Sequence, residues 1–234
     1  MKNKKVLFFD LDDTLITCSG YYDEVEITMP NVPKPLHAIN PRIIMGQDKW
    51  DNLRMQCYLD SKYKCEICDR KLDDKNIQLH ELYSYNHTNG VAKFERYISV
   101  CKLCHNGIHS GRAASLFRNH NPIFTKKYML EIAENAFKLV YEYNEEHHAE
   151  LRLFKTYLEW LRLDELRDEL LELMTKYDVK IYRWPRSVGK WERWHLEWNG
   201  QKYYTPYHNG HEWRADMREK NKSDYLRHLD LRNP

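Results

Sequence analysis

The chain has 234 residues, enough for one or two small domains, and 42% of them are hydrophobic, enough to bury a core. Its formal net charge of +2 shows no overall basic excess of the kind that marks many nucleic-acid-binding proteins. No apolar run reaches the roughly 18 residues that a membrane-spanning helix needs, so we expect no membrane association. The apolar run near the N-terminus is too short for a signal peptide, and we expect none.

The first 42 residues are predicted to form a β-hairpin and a connector. Two short apolar runs flank Asp12-Asp13, which predicts two strands joined by a turn, and a third short strand is expected at 25–28. Four prolines follow before residue 42. Because proline disfavours helix in the residue before it, they predict an extended connector.

The same N-terminal stretch permits an alternative interpretation. The letters KVLFFDLDDTL resemble the first motif of the haloacid dehalogenase phosphatases, in which Asp10 would be the nucleophile and Asp12 and Thr14 would complete the motif. That family needs a large doubly wound domain behind the strand. A different motif begins as early as Cys65, which favours the simple hairpin.

Residues 43–112 are predicted to form a metal-binding domain. After a helix that begins at Asp48, the pairs Cys65/Cys68 and Cys101/Cys104 follow, with 32 residues between them. Two Cys-x-x-Cys pairs that close one loop are typical of a structural zinc site, because soft thiolates bind zinc tetrahedrally. Thiolates persist in a reducing compartment, so we expect a cytoplasmic protein.

Three histidines lie inside or just after this loop. His105 and His109 are four residues apart, so a helix would place both rings on one face. His80 lies in IQLHELY, whose alternation predicts a strand. With strand and helix held together by zinc, the three rings could bind one divalent ion against a phosphodiester. The alternative is that they are surface or zinc-adjacent histidines.

In combination these residues resemble the HNH (His-Asn-His, ββα-metal) endonucleases, and most closely the subgroup with two Cys-x-x-Cys pairs. The matching residues are Trp50, Leu53, Arg54, 63–68, 79–81 and 100–111. The resemblance implies a hairpin packed on a helix, with one catalytic divalent ion, Mg²⁺ or Mn²⁺, between them. It implies hydrolysis of phosphodiester bonds in DNA, with RNA left open, and an origin in a phage or mobile element.

The resemblance also assigns roles, with two departures. His105 and His109 match metal ligands, and His80-Glu81 matches the pair that supplies a ligand and the general base. Glu81 stands where many members have histidine, so either Glu81 or His80 would be the base. Arg96 replaces the middle Asn and is a candidate DNA contact. These departures favour an alternative, a zinc module that binds nucleic acid or a protein without cleaving.

Residues 113–176 are predicted to be helical. Apolar residues at helical spacing predict one amphipathic helix from about 125 to 147, a second follows, and a third is expected with Asp164 as its N-cap. Between residues 131 and 172 there are 12 acidic and 5 basic residues, a net charge of −7. Because this charge repels phosphate, we expect the segment to form a homodimer or to bind a protein partner.

Residues 177–234 are predicted to form a small antiparallel β-sheet module, which completes an α+β fold. Strands are expected at 179–184, 191–198 and 202–205, with Asn199-Gly200 as a hairpin turn. A short helix at 224–231 or a disordered tail would end the chain. Basic residues beside the tryptophans predict contacts to DNA: Arg183, Arg186, Lys190, Arg193 and Lys202. The alternative is that the aromatic side chains are merely the core of this module.

Overall fold

The computed structural model describes residues 32–147, 153–154, 156–182 and 189–230, so the predicted N-terminal hairpin and the Asp10 motif lie outside the described residues. The described fold is α+β, as predicted. Its helices are α1 (Pro41–Met45), α2 (Gln47–Asp60), α3 (Lys102–Ile108), α4 (Ser110–Arg118), α5 (Lys126–His147), α6 (Thr156–Trp160), α7 (Arg167–Lys176) and α8 (Gly210–Asp230). Its strands are β1 (Ile77–Asn86), β2 (Val91–Cys101), β3 (Leu153–Phe154), β4 (Ile181–Tyr182), β5 (His195–Trp198) and β6 (Gln201–Tyr204).

Two compact units interleave along the chain. The described residues of the first unit fall in Asp51–Leu82 and Arg96–Arg186. Those of the second fall in Val32–Trp50, Tyr83–Glu95 and Ser187–Pro234. The four consecutive segments expected from the sequence follow chain order, and that division stays a prediction.

The hairpin formed by β1 and β2 leads straight into helix α3. A four-residue turn joins the two strands, which makes the pair antiparallel, since a parallel pair needs a long crossover. Strand β2 ends at Cys101 and α3 begins at the next residue. This junction places the second Cys-x-x-Cys pair and His105 at the end of a strand that is paired to the one carrying His80.

Helices α4 to α7 enclose the main apolar core of the first unit. The helix predicted at about 125 to 147 is confirmed as α5, and its apolar residues are buried. Trp160 of α6 and Leu170 of α7 are also fully buried in this core. Burial of each of these side chains stabilises the fold by about 1.5–3 kcal/mol, and together they hold the helices of this core in place.

The predicted N-cap of the third helix is wrong. Helix α7 begins at Arg167 with Leu166 at the N-cap position, and no side chain caps it. Asp164 instead forms an ion pair with Arg167. Leu166 is fully buried, so packing of an apolar residue rather than a cap fixes where this helix starts.

In the second unit, β5 and β6 form the predicted hairpin. Asn199 and Gly200 both have positive φ, +50° and +74°, as a two-residue turn of this kind requires. The register runs from His195↔Tyr204 to Trp198↔Gln201. The turn prediction is therefore confirmed.

The prediction of an antiparallel module is corrected in four respects. The sheet is mixed, because β5 pairs in parallel with β2 from Val91↔His195 to Lys93↔Glu197. The strand expected at 179–184 is the two-residue β4, which pairs with β3 in a separate sheet. Residues Trp191–Arg193 form a 3₁₀ turn rather than strand, and α8 is longer than the expected helix at 224–231. The pairing of strands that are distant in the chain cannot be predicted from the alternation of apolar and polar residues within one strand.

None of the helices in the described part of the chain combines the length and the apolar character that crossing a bilayer requires.

Candidate metal centres

The four cysteines of the two Cys-x-x-Cys pairs meet in one cluster. The sulfurs of Cys65, Cys68, Cys101 and Cys104 all lie within 4.8 Å of one another. Cys65, Cys101 and Cys104 are buried, together with Ile98. The sulfurs therefore occupy one small protected volume in the first unit.

The spacing of these sulfurs fits one zinc ion. The Sγ atoms of Cys68 and Cys101 are 3.9 Å apart, far too distant for a disulfide, whose sulfurs are about 2.05 Å apart. A tetrahedral ion with Zn–S bonds of about 2.3 Å separates its sulfurs by about 3.8 Å. The geometry and the donor set therefore agree with a structural zinc site.

Mutual contacts disturb the ionisation of the four thiols. The hydrogen bond with Cys104 lowers the pKa of Cys101 to about 7, and the hydrogen bond with Cys101 lowers the pKa of Cys65. The same contact with Cys101 raises the pKa of Cys68 and of Cys104. Without a metal ion, some of the four thiols therefore keep their protons. A bound dication supplies the positive charge that lets all four sulfurs ionise.

Two local structures hold the cysteine pairs in place. Around the first pair the chain folds back on itself: the Asp69 N–H donates to the Cys65 carbonyl at 2.9 Å, and the Cys65 N–H donates to the Arg70 carbonyl at 2.9 Å. At the second pair, Cys101 is the N-cap of α3, and its Sγ accepts from the Cys104 N–H at 3.4 Å. Both pairs thus lie in tight turns, as two ligands to one ion require.

Glu66 joins the first turn to strand β2. Its Oε1 accepts from the Ser99 N–H at 2.8 Å, while its own N–H donates to the Ser99 carbonyl at 2.8 Å. Its Oε2 accepts from Arg96 Nη1 at 2.9 Å. Arg96, expected from the sequence to contact DNA in place of the family's Asn, is therefore in an ion pair that holds the cysteine turn.

The three predicted histidines form a second cluster. The ligand nitrogens of His80, His105 and His109 lie within 4.8 Å of one another. Their ring centroids are 5.3 Å apart for His80 and His105, 4.9 Å for His80 and His109, and 4.7 Å for His105 and His109. One ion can bridge nitrogens at this spacing, so the convergence predicted from strand and helix periodicity is found.

Burial keeps the three imidazoles neutral. Loss of hydration lowers the pKa of His105 to about 3, and the charges of His109 and Arg112 add to the effect. The pKa of His109 is lowered to about 4 by burial and by Arg112, and that of His80 lies well below its usual value through burial and its two neighbours. Neutral imidazole is the form that binds a metal ion, since the ring nitrogen must offer its lone pair.

Helix α6 fixes the backbone that carries His105 and His109. The Tyr157 hydroxyl donates to the Gly107 carbonyl at 3.3 Å, and Trp160 Nε1 donates to the Ser110 carbonyl at 3.0 Å. Both donors are completely or almost completely buried. Because these bonds lie on either side of His109, they restrain the junction between α3 and α4.

Glu81 lies beside the histidine cluster in sequence but not in it. It is half-buried on β1, and it is not among the ligand atoms that converge. Successive residues of a strand point to opposite faces, which separates its carboxylate from the His80 ring. A role for Glu81 as general base stays a prediction.

The predicted DNA contacts of the C-terminal segment are only partly described. Arg183 and Arg186 lie outside the described residues. Lys190 and Arg193 are exposed in the second unit, and Lys202 is exposed with its Nζ 3.4 Å from Glu197 Oε1. Lys190 is the N-cap of the Trp191–Arg193 turn and Arg193 is its last residue, while the next residue, Trp194, is fully buried as part of this unit's core.

Three residues near the metal centres were not found by sequence reasoning. Asn135 Nδ2 donates to the Cys104 sulfur at 3.4 Å, and Glu66 holds the cysteine turn. Arg112 influences both His105 and His109. Arg112 could have been predicted to lie near the cluster, because it follows His109 by three residues. Nothing in the sequence links Asn135 to Cys104.

In a comparison with known proteins, no protein-family model, no curated protein and no solved structure matches this chain.

Proposed function

We propose that this chain is a metal-dependent endonuclease of the HNH type that hydrolyses phosphodiester bonds in DNA. The observation that carries the proposal is the convergence of His80, His105 and His109 beside a cluster of four cysteines. The chain order β1, β2, α3 supports a ββα-metal core around them.

In this proposal the two clusters have different roles. The cysteines hold a structural zinc that fixes the start of α3, away from substrate. The histidines hold the catalytic ion, which when bound polarises a phosphodiester oxygen and offsets charge on the leaving oxygen. Glu81 accepts a proton from the attacking water, or His80 does so while His105 and His109 alone hold the ion. Lys190, Arg193 and Lys202, with Arg183 and Arg186, contact DNA phosphates.

The donor set bears on the choice of ion. Three imidazoles suit Zn²⁺, Ni²⁺ or Fe²⁺ better than the harder Mg²⁺ or Mn²⁺, which prefer carboxylates and water. Activity should therefore be assayed with Ni²⁺ and Zn²⁺ as well as with the Mg²⁺ and Mn²⁺ that the family resemblance implies.

Nicking of supercoiled plasmid DNA tests the proposal. We expect His109→Ala to abolish nicking, because it removes one metal ligand, while His147→Ala, an exposed histidine on α5, leaves it unchanged. Loss of nicking in Glu81→Gln would make Glu81 the base, and retention would leave that role to His80. Unchanged nicking in both His109→Ala and Glu81→Gln would remove this site assignment.

A non-cleaving module that binds nucleic acid or a protein is the second candidate. One observation favours it: the histidine cluster contains no carboxylate from the described residues. One zinc per chain, no second ion and no cleavage with any of the four metals would favour this candidate over the nuclease. A protein partner or homodimer through the acidic helical segment stays a proposal, and gel filtration with light scattering tests the homodimer.

A further inference from the structure

Arg112 lies one helical turn beyond His109. Helix α4 begins at Ser110, and the Ala113 N–H donates to the His109 carbonyl at 3.0 Å, so His109 is the N-cap residue and Arg112 the third residue of this helix. The N-cap residue and the third residue of a helix are neighbours, as the capping box shows. Arg112 and His109 therefore project from the same side of the α3–α4 junction.

The charge of Arg112 reaches the histidine cluster. Arg112 lies near enough to both His105 and His109 for its positive charge to act on their rings. A guanidinium beside a site for a divalent cation repels that cation. An anion bound between the two charges would convert this repulsion into attraction.

The Arg112 side chain has no protein partner in the described part of the chain. It is exposed, whereas Arg54, Arg96 and Arg167 of the same unit each form an ion pair with a carboxylate. A guanidinium offers five N–H donors in a planar fork that matches phosphate oxygens. Arg112 thus offers a free donor array next to the cluster.

We propose that Arg112 binds a non-bridging oxygen of the substrate phosphate that the ion at the histidine cluster holds. This assignment rests on the proposed function for its substrate, a nucleic-acid phosphodiester. Arg112 would contribute both binding and compensation of the negative charge that increases on the phosphate as water attacks. It is a contact to the reacting group rather than a ligand of the ion.

Calorimetric titration of inorganic phosphate into the full chain, with zinc in the cysteine cluster and Ni²⁺ added, tests this assignment. We expect Arg112→Ala to weaken phosphate binding by about 10- to 100-fold, because a charge-assisted hydrogen bond is lost. Arg112→Lys should retain part of the affinity, since it keeps the charge but not the fork. Metal content should be equal in all variants.

Arg118→Ala is the matched control, an exposed arginine in the last turn of the same helix. It should bind phosphate as the wild type does, and His109→Ala should lose both the second ion and the phosphate. Equal phosphate affinity in Arg112→Ala and wild type would overturn the assignment. A wild-type chain that takes up no second ion, or that binds no phosphate once loaded, would overturn it as well.

Plasmid nicking by the same variants separates this assignment from the proposed function. Phosphate binding that depends on Arg112 in a chain that cleaves no DNA would remove the proposed nuclease function and leave the Arg112 contact standing. Nicking that is equally fast in wild type and Arg112→Ala would remove the contact and leave the nuclease standing.

Discussion

Asn135 connects the helical core of the first unit to the cysteine cluster through one N–H···S hydrogen bond of 3.4 Å. A donor to a metal-binding thiolate fixes its orientation and disperses its charge. Asn135 and the acceptor Cys104 are 31 positions apart in the chain. In sequence, the helix that carries Asn135 shows only an apolar stripe. Packing of α5 against α3, rather than any motif, creates this contact.

Asn135→Asp should weaken zinc binding by about 10- to 100-fold, the usual range for residues that support metal ligands. The change keeps the shape of the side chain but replaces a donor with a carboxylate that repels thiolates. Competition with a chromophoric chelator measures the affinity. Glu145→Gln, an exposed position of the same helix, serves as the control, and zinc affinity unaltered by Asn135→Asp would contradict the role given to this hydrogen bond.

Glu66 offers a second test at the scale of single residues. Glu66→Ala removes the acceptor of the Ser99 N–H and the partner of Arg96, and should lower the free energy of unfolding by about 1–2 kcal/mol. Glu66→Gln keeps an acceptor and should cost less than about 1 kcal/mol, because the ion pair is partly exposed. Urea unfolding of the zinc-loaded chain measures both. Equal losses would show that the ion pair, not the backbone hydrogen bond, stabilises the turn.

The elements predicted best are those whose signal is local. Helices α2 and α5 follow from apolar spacing, and the Asn199-Gly200 turn follows from residues that tolerate positive φ. Parallel pairing of β2 with β5 could not be predicted, because it joins residues 91–93 to 195–197 and depends on the path between them. Cross-strand contacts decide such pairing, and a single strand does not reveal its partner.

Gly90 is the position where that pairing is most sensitive. Its φ is +69°, and a Cβ there would lie 3.1 Å from the backbone C of Arg193 and N of Trp194. Gly90→Ala should therefore cost about 1–3 kcal/mol of unfolding free energy, from backbone strain and from the close contact together.

Gly200→Ala is the control, because its φ of +74° carries the same strain while nothing lies within 4 Å of its Cβ. Thermal unfolding followed by tryptophan fluorescence compares the two variants. A smaller loss for Gly90→Ala than for Gly200→Ala would contradict the close approach of the hairpin turn to β5.

Helix α6 is expected to support the histidine cluster through its hydrogen bonds to the α3–α4 junction. Tyr157→Phe removes the hydroxyl that donates to the Gly107 carbonyl and should cost about 0.5–1.5 kcal/mol of unfolding free energy. Tyr141→Phe, on an exposed part of α5, should cost nothing measurable. Chemical denaturation of both variants makes the comparison, and equal stability of the two would contradict the anchoring role.

For the whole molecule, the sulfurs are part of the core as well as candidate zinc ligands. Cys65, Cys101 and Cys104 pack with Leu82, Ile98 and Val100 in one buried cluster. Zinc bound by these sulfurs would therefore contribute directly to the folding free energy of the first unit, since an unfolded chain offers no preformed site.

Cys101→Ser should remove the zinc and lower the unfolding temperature sharply, and so should a strong chelator acting on the wild type. Cys57→Ser, which changes a free cysteine outside the cluster, should keep both the zinc and the stability. Metal analysis by mass spectrometry, with calorimetric unfolding, tests this. Retention of zinc by Cys101→Ser would contradict the four-thiolate site.

The convergence of the candidate metal ligands was the part of the site that sequence reasoning predicted, because Cys-x-x-Cys pairs and residues four apart on a helix impose short distances by themselves. The residues that support these ligands could not be predicted, because Arg96, Glu66 and Asn135 take their roles from contacts between distant segments of the chain. The antiparallel C-terminal sheet was wrong for the same reason: two of its expected strands pair outside it or with β2.

The most direct test of the account is anomalous diffraction from crystals of the zinc-loaded chain after a Ni²⁺ soak, with data collected at the zinc and nickel absorption edges. We predict a zinc peak among Cys65, Cys68, Cys101 and Cys104, and a nickel peak between the rings of His80, His105 and His109. A zinc site without its four sulfurs, or three imidazoles with no nickel between them at saturating concentration, would contradict it.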